Sequence, residues 1–565
     1  MRIPFQFSKK AGLILVILMV SLVLRIYKLN VTPPSLYWEE AALGYDAYSV
    51  LKTGMDHHGH WFPVVAFESF GDYKPALYFY SIIPFLFVFG LSVWSVRIPS
   101  VIAGVLIVYF SGKIAGLLFQ SEELHNSSEM GWGRTLIQPE ILTMIITCFS
   151  PWAIQFSRGG WEVNLATALL SIGVYFGLRA GSIVQSQPNQ KKAMLSFYTL
   201  TVLLFVLSAY TYHATRVIAP LLGIVLAYPL IVRYKTNWKQ ICMLAVLAFG
   251  LMLPILLFIR DPSVGHRLQE TSTFSTGKEV LESNFYMQQF GSNVVTKLLF
   301  HRYWFYLRTI MINAATHLRL DFLFLSGDQN FRHSIQYFGL FFPTDFVLLI
   351  LSLFTLIKKW QGKYHFLWLW WVIGLIPASL ALPVPHALRT LPILPVYMSV
   401  LGLGLFALIQ YIRKMPFSKI LLSGVAVLFC IELIMYLNFY FLAYPKLYAS
   451  EWQYGYQQMV ESIQNNSQSG EKVYITREYG RPAMYYWFFS KTNPSDVQSE
   501  NAAAPKDQGE FLNFKNVTFS DSLTGNEKGL IASTYKQRQF FSDVTEIETI
   551  MDLKGQPVWL VYRAN

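Results

Sequence analysis

Apolar positions along this chain fall in long unbroken runs, without the alternation of half-buried strands or the three-and-four spacing of surface helices. The first run covers 11–24. Lys9 and Lys10 precede it, Arg25 and Lys28 follow it, and no small-residue cleavage site intervenes. It reads as an uncleaved membrane helix whose N-terminus lies in the cytoplasm. Further runs long enough to span lie near 98–118, 137–153, 163–180, 195–212, 215–232, 239–259, 338–357, 364–382, 389–411 and 419–442. The shortest hold about 17 residues, the lower limit for a hydrocarbon core of about 30 Å.

One more run, 77–90, is too short and carries Pro84. Parity tests it. Three short basic loops, at 233–239, 358–363 and 413–419, belong in the cytoplasm. Counting back from them places 383–388, 260–337, 213–215 and 154–162 outside, together with the start of the 98–118 helix. The first helix already delivers residue 30 to the outside. Both conditions hold only when 77–90 does not cross. The pattern predicts eleven spans and a long first external loop, 29–97, that dips into the interface. The competing arrangement makes 77–90 an ordinary span and adds another elsewhere.

The tail differs in kind. From Tyr444 onward it holds 12 Lys+Arg against 14 Asp+Glu, a net of −2, which leaves 33 against 19 for the rest of the chain. Strand-like runs at 472–476 and 558–562 and a helical pattern from Pro482 to Ser490 predict a small soluble α/β domain on the external side. The chain divides into a membrane module, 1–443, with external loops at 29–97 and 260–337, and an external domain, 444–565.

Composition supports this reading. Of 565 residues, 53% are apolar and 14% charged, against about 25% charged in soluble proteins. The net charge of +12 then belongs to cytoplasmic loops and anionic headgroups, and no nucleic-acid partner is inferred. Cys148, Cys242 and Cys430 all lie in apolar runs and read as small core residues. No phosphate-binding glycine loop, dinucleotide fingerprint or zinc-protease motif is present in the sequence, so no nucleotide-driven reaction is indicated.

Ionisable residues near membrane depth are expensive and invite a functional reading. Here they collect in external loops and at helix ends. Glu39 and Glu40 follow Trp38, and a partly desolvated carboxylate there has the raised pKa of a general base. The competing reading is an acidic pair in a helix first turn. Asp46 and Asp72 lie in the same loop. Lys74 is a phosphate-binding point charge or an interfacial snorkelling lysine. Arg158 follows in the loop near 150. His213 and Arg216 are three residues apart, and His386 and Arg389 repeat that spacing at another external turn. Such pairs share a helical face and suit an anion, or they anchor headgroups. No regular ligand spacing assigns metal-binding residues; a divalent cation on the adjacent glutamates is left open, and no cofactor is inferred. Elsewhere, Arg260, Asp261, His266 and Arg267 add charge, and Asp328 and Arg332 are expected to pair or to cap a turn. Asn126 and Asn516 head weak glycosylation motifs.

The stretches 37–46, 70–78, 96–100, 157–165, 210–216, 326–334 and 385–392, taken in order, resemble bacterial family 39 glycosyltransferases, which are related to protein O-mannosyltransferases and to the aminoarabinose transferase of lipid A. The resemblance spans roughly 10–440. It implies a GT-C fold, an α-helical polytopic membrane protein whose long first external loop carries the catalytic acid. It further implies an inverting transfer of a sugar from a polyprenyl-phosphate carrier to an external acceptor, at the bacterial inner membrane with membrane lipid around it. By the same match Glu39 is the base, with Glu40 beside it where relatives usually carry Asp-Glu. Lys74, His213, Arg216, His386 and Arg389 are expected around the donor, Asp46 and Asp72 near the sugar or acceptor, and Arg158 among the substrate-binding residues. The rival readings are a transporter, a GT-C oligosaccharide transferase or polymerase, and a non-catalytic anchor for the tail. A transporter would want midplane carboxylates or inverted repeats, and neither is visible in the sequence.

Overall fold

The computed structural model describes residues 8–119, 136–186, 190–233, 238–260, 272–291, 293–358, 362–501, 505–507 and 509–564. Asn126, Asp261, His266 and Arg267 lie outside them. The chain divides into two compact units. One comprises Met1–Leu24, Ala103–Phe156 and Val163–Leu433; the other comprises Arg25–Ile102, Ser157–Glu162 and Ile434–Asn565.

Among the described residues, seven helices are long and apolar enough to cross a membrane: Val93–Phe119, Glu162–Ile183, Lys191–Ala209, Thr215–Val232, Trp238–Phe258, Ala387–Ile412 and Ser418–Leu447. Lys9–Ile26 is an 18-residue helix over the first apolar run. Leu77–Phe89, with 13 residues, rises about 20 Å at 1.5 Å per residue, short of a bilayer core.

Two expected spans break differently from their hydropathy. The 137–153 run forms Pro139–Phe149 and then Pro151–Phe156. Pro151 has no N–H to continue the ladder, so the helix stops at Ser150. The 338–357 run becomes helical only at Asp345–Lys358. There Asp345 accepts the Phe342 N–H at 3.0 Å and caps the start.

In the second unit, the long first loop opens into the helix Trp38–Thr53 and a hairpin of Ala66–Ser69 with Asp72–Pro75. The hairpin turns through Phe70 and Gly71, both at positive φ, the geometry of a tight two-residue turn. The tail forms a six-stranded mixed sheet. Its order is 513–514, 517–520, 473–476, 529–533, 557–564, 544–551. Val473–Thr476 runs parallel to both neighbours, with Val473 opposite Val517 and Leu530, while Pro557–Ala564 is antiparallel to its own. Ile531, Leu560, Tyr562 and Phe541 fill one face. Pro482–Ser490 is a helix, as the sequence predicted.

Tail and loop meet within this unit. Tyr485 OH donates to the Leu36 carbonyl, and Gln453 Oε1 accepts the Trp38 N–H. A Cβ on Gly509 would lie 2.2 Å from the Gly71 nitrogen, so only glycine lets the two backbones approach this closely.

Candidate active site

The helix Trp38–Thr53 begins at Tyr37, which is extended. Its first N–H groups have no intrahelical acceptor. Tyr37 N–H donates to Glu40 Oε2 at 3.2 Å, the return half of a capping box. Trp38 N–H donates to Gln453 Oε1 at 3.0 Å. Both glutamates therefore sit in the first turn, as the competing reading of the acidic pair expected, but their surroundings diverge.

Glu40 is fully buried. Arg97 grips it with Nε on Oε1 at 2.9 Å and Nη2 on Oε2 at 3.0 Å. Gly160 N–H donates to Oε1 at 2.7 Å. A Cβ on Gly160 would sit 3.0 Å from Val96 and 3.2 Å from Glu40 Cγ, a closeness that glycine permits. The other Arg97 donors go to the carbonyls of Leu29, Pro33 and Ser35. All five guanidinium N–H donors are used.

Glu39 projects the other way and its side chain is 29% exposed. Its Oε1 accepts from Lys74 Nζ at 2.8 Å and its Oε2 from Tyr37 OH at 3.3 Å. Lys74 itself is buried. Glu162, also buried, feels the charges of both Glu39 and Lys74. Tyr37 stacks on Trp161 at 5.0 Å, and Trp452 meets it edge-on at 5.8 Å. The result is a carboxylate–ammonium pair at the head of a helix, backed by aromatic rings.

Two expected contacts sit elsewhere in this unit. Asp46 is fully buried; its Oδ1 accepts His57 N–H at 3.0 Å and lies 2.6 Å from His57 Nδ1. Burial pushes the Asp46 carboxyl up to about 8, against the His57 N–H bond and the His60 charge. Burial likewise pushes His57 down to about 4. The pair holds one shared proton rather than two charges. Arg158 is fully buried too. It donates to the carbonyls of Arg25 at 2.9 Å, Tyr27 at 2.6 Å and Thr32 at 2.7 Å, and lies over Phe441 at 4.8 Å. It fastens the turn after the first helix. Both side chains are buried. Asp72 sits half-buried at the hairpin tip, beside the turn.

In the first unit, the two His-x-x-Arg turns also diverge. Arg216 follows His213 in a turn closed by its own N–H to the His213 carbonyl at 3.1 Å. Its Nε reaches Ala209 O at 3.3 Å, and its buried Nη2 has no hydrogen-bond partner among the described residues. Arg389 instead clasps three carbonyls of its own loop, Ala381 at 2.7 Å, Leu382 at 2.7 Å and Pro383 at 3.0 Å. His386 turns towards Asp328 and His333. Asp328 caps its turn by accepting Asn330 N–H at 2.8 Å. Burial opposes its charge, but the hydrogen bond and charge of His333 and the charge of His386 hold it down to about 2.

The sequence reading passed over Arg97, His57 and Gln453 as site-forming residues. Arg97 and Glu162 lie inside the stretches 96–100 and 157–165, but that Arg97 grips Glu40 and that Glu162 faces Glu39 and Lys74 needs the chain folded. The run Asp56-His57-His58-Gly59-His60 was the visible signal for a buried cluster.

The segment 15–124 matches the family model described as dolichyl-phosphate-mannose-protein mannosyltransferase. No curated protein matches the chain in sequence. In structure, the chain is similar to ArnT from Cupriavidus metallidurans. The form bound to undecaprenyl phosphate has a TM-score of 0.53 at 12% identity, over 98% of this chain and 97% of that one. The apo form gives 0.56 at 12%, over 98% of each. The archaeal oligosaccharyltransferase AglB from Archaeoglobus fulgidus, solved with an inhibitory peptide and a dolichol-phosphate, gives 0.50 at 11%, over 86% of this chain and 64% of that one. The chain has the GT-C fold and is an integral membrane protein.

Proposed function

From that fold and family match, we infer that the protein is a GT-C glycosyltransferase that moves a sugar from a polyprenyl-phosphate carrier to an acceptor outside the bacterial inner membrane. The observation that carries the reading is the half-exposed Glu39 paired with Lys74 at 2.8 Å at the head of a loop helix. Its neighbour Glu40 is sequestered by Arg97.

Glu39 takes the proton from the acceptor hydroxyl. The oxygen attacks the anomeric carbon opposite the phosphate, the bond from that carbon to the phosphate oxygen breaks, and the electron pair leaves with the polyprenyl phosphate. One displacement inverts the anomeric centre. Lys74 pairs with Glu39 at 2.8 Å and brings positive charge to the side where phosphate charge develops. Glu40 works through position, by fixing the turn that aims Glu39. Asp72 is the remaining sugar or acceptor contact in this loop. Of the two cationic turns, Arg216 suits a donor phosphate better than Arg389, whose donors already serve carbonyls. His213 and His386 complete the set of donor-side candidates. The N-terminus lies in the cytoplasm and the 444–565 segment outside.

Mass spectrometry of lipid-phosphate sugars and envelope glycans tests this in cells carrying wild-type protein or Glu39→Gln. The expected outcome is a lipid-linked monosaccharide that accumulates in the variant while one sugar disappears from an acceptor. Unchanged glycans with a folded, abundant variant would remove Glu39 from the role of base.

A further inference from the structure

Beyond sugar transfer, we propose that Asp328, His333 and His386 form a binding site for one divalent transition-metal ion of the zinc type. One ligand atom from each of the three converges within 4.8 Å of the others. Asp328 Oδ2 lies 3.2 Å from His333 Nδ1 and 3.7 Å from His386 Nδ1. A tetrahedral zinc with nitrogen and oxygen bonds of about 2.0–2.1 Å sets its ligand atoms about 3.3–3.4 Å apart. These two spacings straddle that value, and the third lies within 4.8 Å.

Hydrogen bonding alone accounts poorly for the cluster. Asp328 Oδ2 already accepts Ala387 N–H at 2.6 Å. His386 Nδ1 is buried and has no hydrogen-bond partner among the described residues, although it faces that same oxygen. At 3.7 Å the two atoms are too far apart for a hydrogen bond and suitably apart for two ligands of one cation.

The surroundings are those of a metal centre. Asp328 Oδ1 is fixed by Asn330 N–H, and the His386 backbone N–H is fixed by His317 Nε2 at 3.2 Å. Such outer contacts orient ligands. Phe156 lies 5.8 Å from His333 and helps keep the cluster dry. Two imidazoles and one carboxylate favour zinc or a similar first-row ion over magnesium or calcium, which take oxygen ligands. Three protein ligands leave a fourth position for water. The ion would tie the 328–333 turn to the loop that carries Arg389.

Metal analysis of the purified full chain, stripped with chelator and titrated with zinc chloride, reads this without any transfer assay. Failure of the glycosyltransferase reading would leave the result untouched. The expected result is one zinc per chain, a thermal midpoint raised by zinc and not by magnesium, and tetrahedral visible bands when cobalt replaces zinc. Asp328→Asn keeps a carbonyl for Ala387 N–H but removes the anionic ligand; it and His386→Ala should bind at least tenfold more weakly. Should either variant fail to fold, the wild-type stoichiometry and cobalt spectrum still decide. No stoichiometric zinc in the wild-type chain, or full binding retained in folded variants, overturns the proposal.

Discussion

Glu39 and Glu40 share a helical turn and a charge, yet they occupy two different regions of it. The Glu40 side is dry. Every group there is matched, with two guanidinium donors and two backbone N–H groups on one carboxylate. The Glu39 side chain is 29% exposed, and its contacts include one ammonium and one phenol. A carboxylate enclosed by four buried donors has no face left for an acceptor hydroxyl to reach. One with an open face can be reached. Adjacent acids thus separate by surroundings alone into a strut and a partly exposed carboxylate, the one we propose as the base.

The sharpest way to break this comparison is to neutralise each acid in turn. Glu39→Gln removes the proposed base and is expected to lower transfer by about 10²–10⁴-fold, with thermal unfolding close to wild type. Glu40→Gln should lose stability first, and its activity should track the folded fraction. Transfer assays beside unfolding curves in detergent separate the two. An active Glu39→Gln together with a folded but inactive Glu40→Gln would reverse the roles.

Arg97 sharpens the dry side. Removing one partner of a buried ion pair costs about 3–5 kcal/mol, and Arg97→Ala also leaves three carbonyls without their donor. Arg97→Lys should fall between, since an ammonium offers three N–H donors where the guanidinium offers five. Thermal or denaturant unfolding measures both. A near-neutral Arg97→Ala would mean that Glu40 is solvated after all.

How much of this was readable beforehand follows from the range of each interaction. Run lengths and turn signals are local, so most helices, the Pro482–Ser490 helix and the strands at its sides appear where the sequence put them. The starts of Pro151–Phe156 and Asp345–Lys358 were missed because hydropathy averages over proline and capping residues. Glu39 and Lys74 were both singled out, but their 35-residue separation hid that they pair. Asp46, Arg158 and Arg389 drew attention as charges. Each spends its donors or acceptors on buried or local partners, which no linear pattern encodes. The His-x-x-Arg spacing recurs at 213–216 and 386–389, yet equal spacing produced unequal environments.

A smaller effect is expected at Gln453, where the tail supports the turn. Its Oε1 takes Trp38 N–H at 3.0 Å and Tyr485 OH at 2.6 Å, and its Nε2 reaches Tyr479 O at 3.1 Å. Gln453→Ala strands a helix-start N–H and should cost about 1–3 kcal/mol. It should also lower turnover modestly by loosening the residue next to Glu39. Deleting 445–565 removes the same acceptor along with Tyr485, so that truncated chain should be inactive. An active truncation would show that the loop helix stands without the tail.

The Asp46–His57 pair gives the most specific signature. In the folded chain the pair keeps one proton, on Asp46, until about pH 8, and His57 takes a second only near 4. In an unfolded chain Asp titrates near about 3.9 and His near about 6.5. Between about 4 and 6.5 both states hold one proton, and stability is flat. From about 6.5 to 8 the folded pair holds the extra proton. Asp46, whose pKa is raised on folding, then loses its contribution as pH climbs, at about 1.4 kcal/mol per unit or about 2 kcal/mol in all. Asp56, His58, His60, Glu68 and Lys506 act on the same pocket, and they remain when Asp46 is changed. Asp46→Asn leaves only the depressed His57, whose contribution grows from about pH 4 to 6.5 and then stops. The difference in unfolding free energy between wild type and variant should therefore slope downward with pH on both sides of 6.5. A flat difference across pH 4–8 would mean that Asp46 is ionised in the folded protein and that its removal leaves the protonation of His57 unchanged.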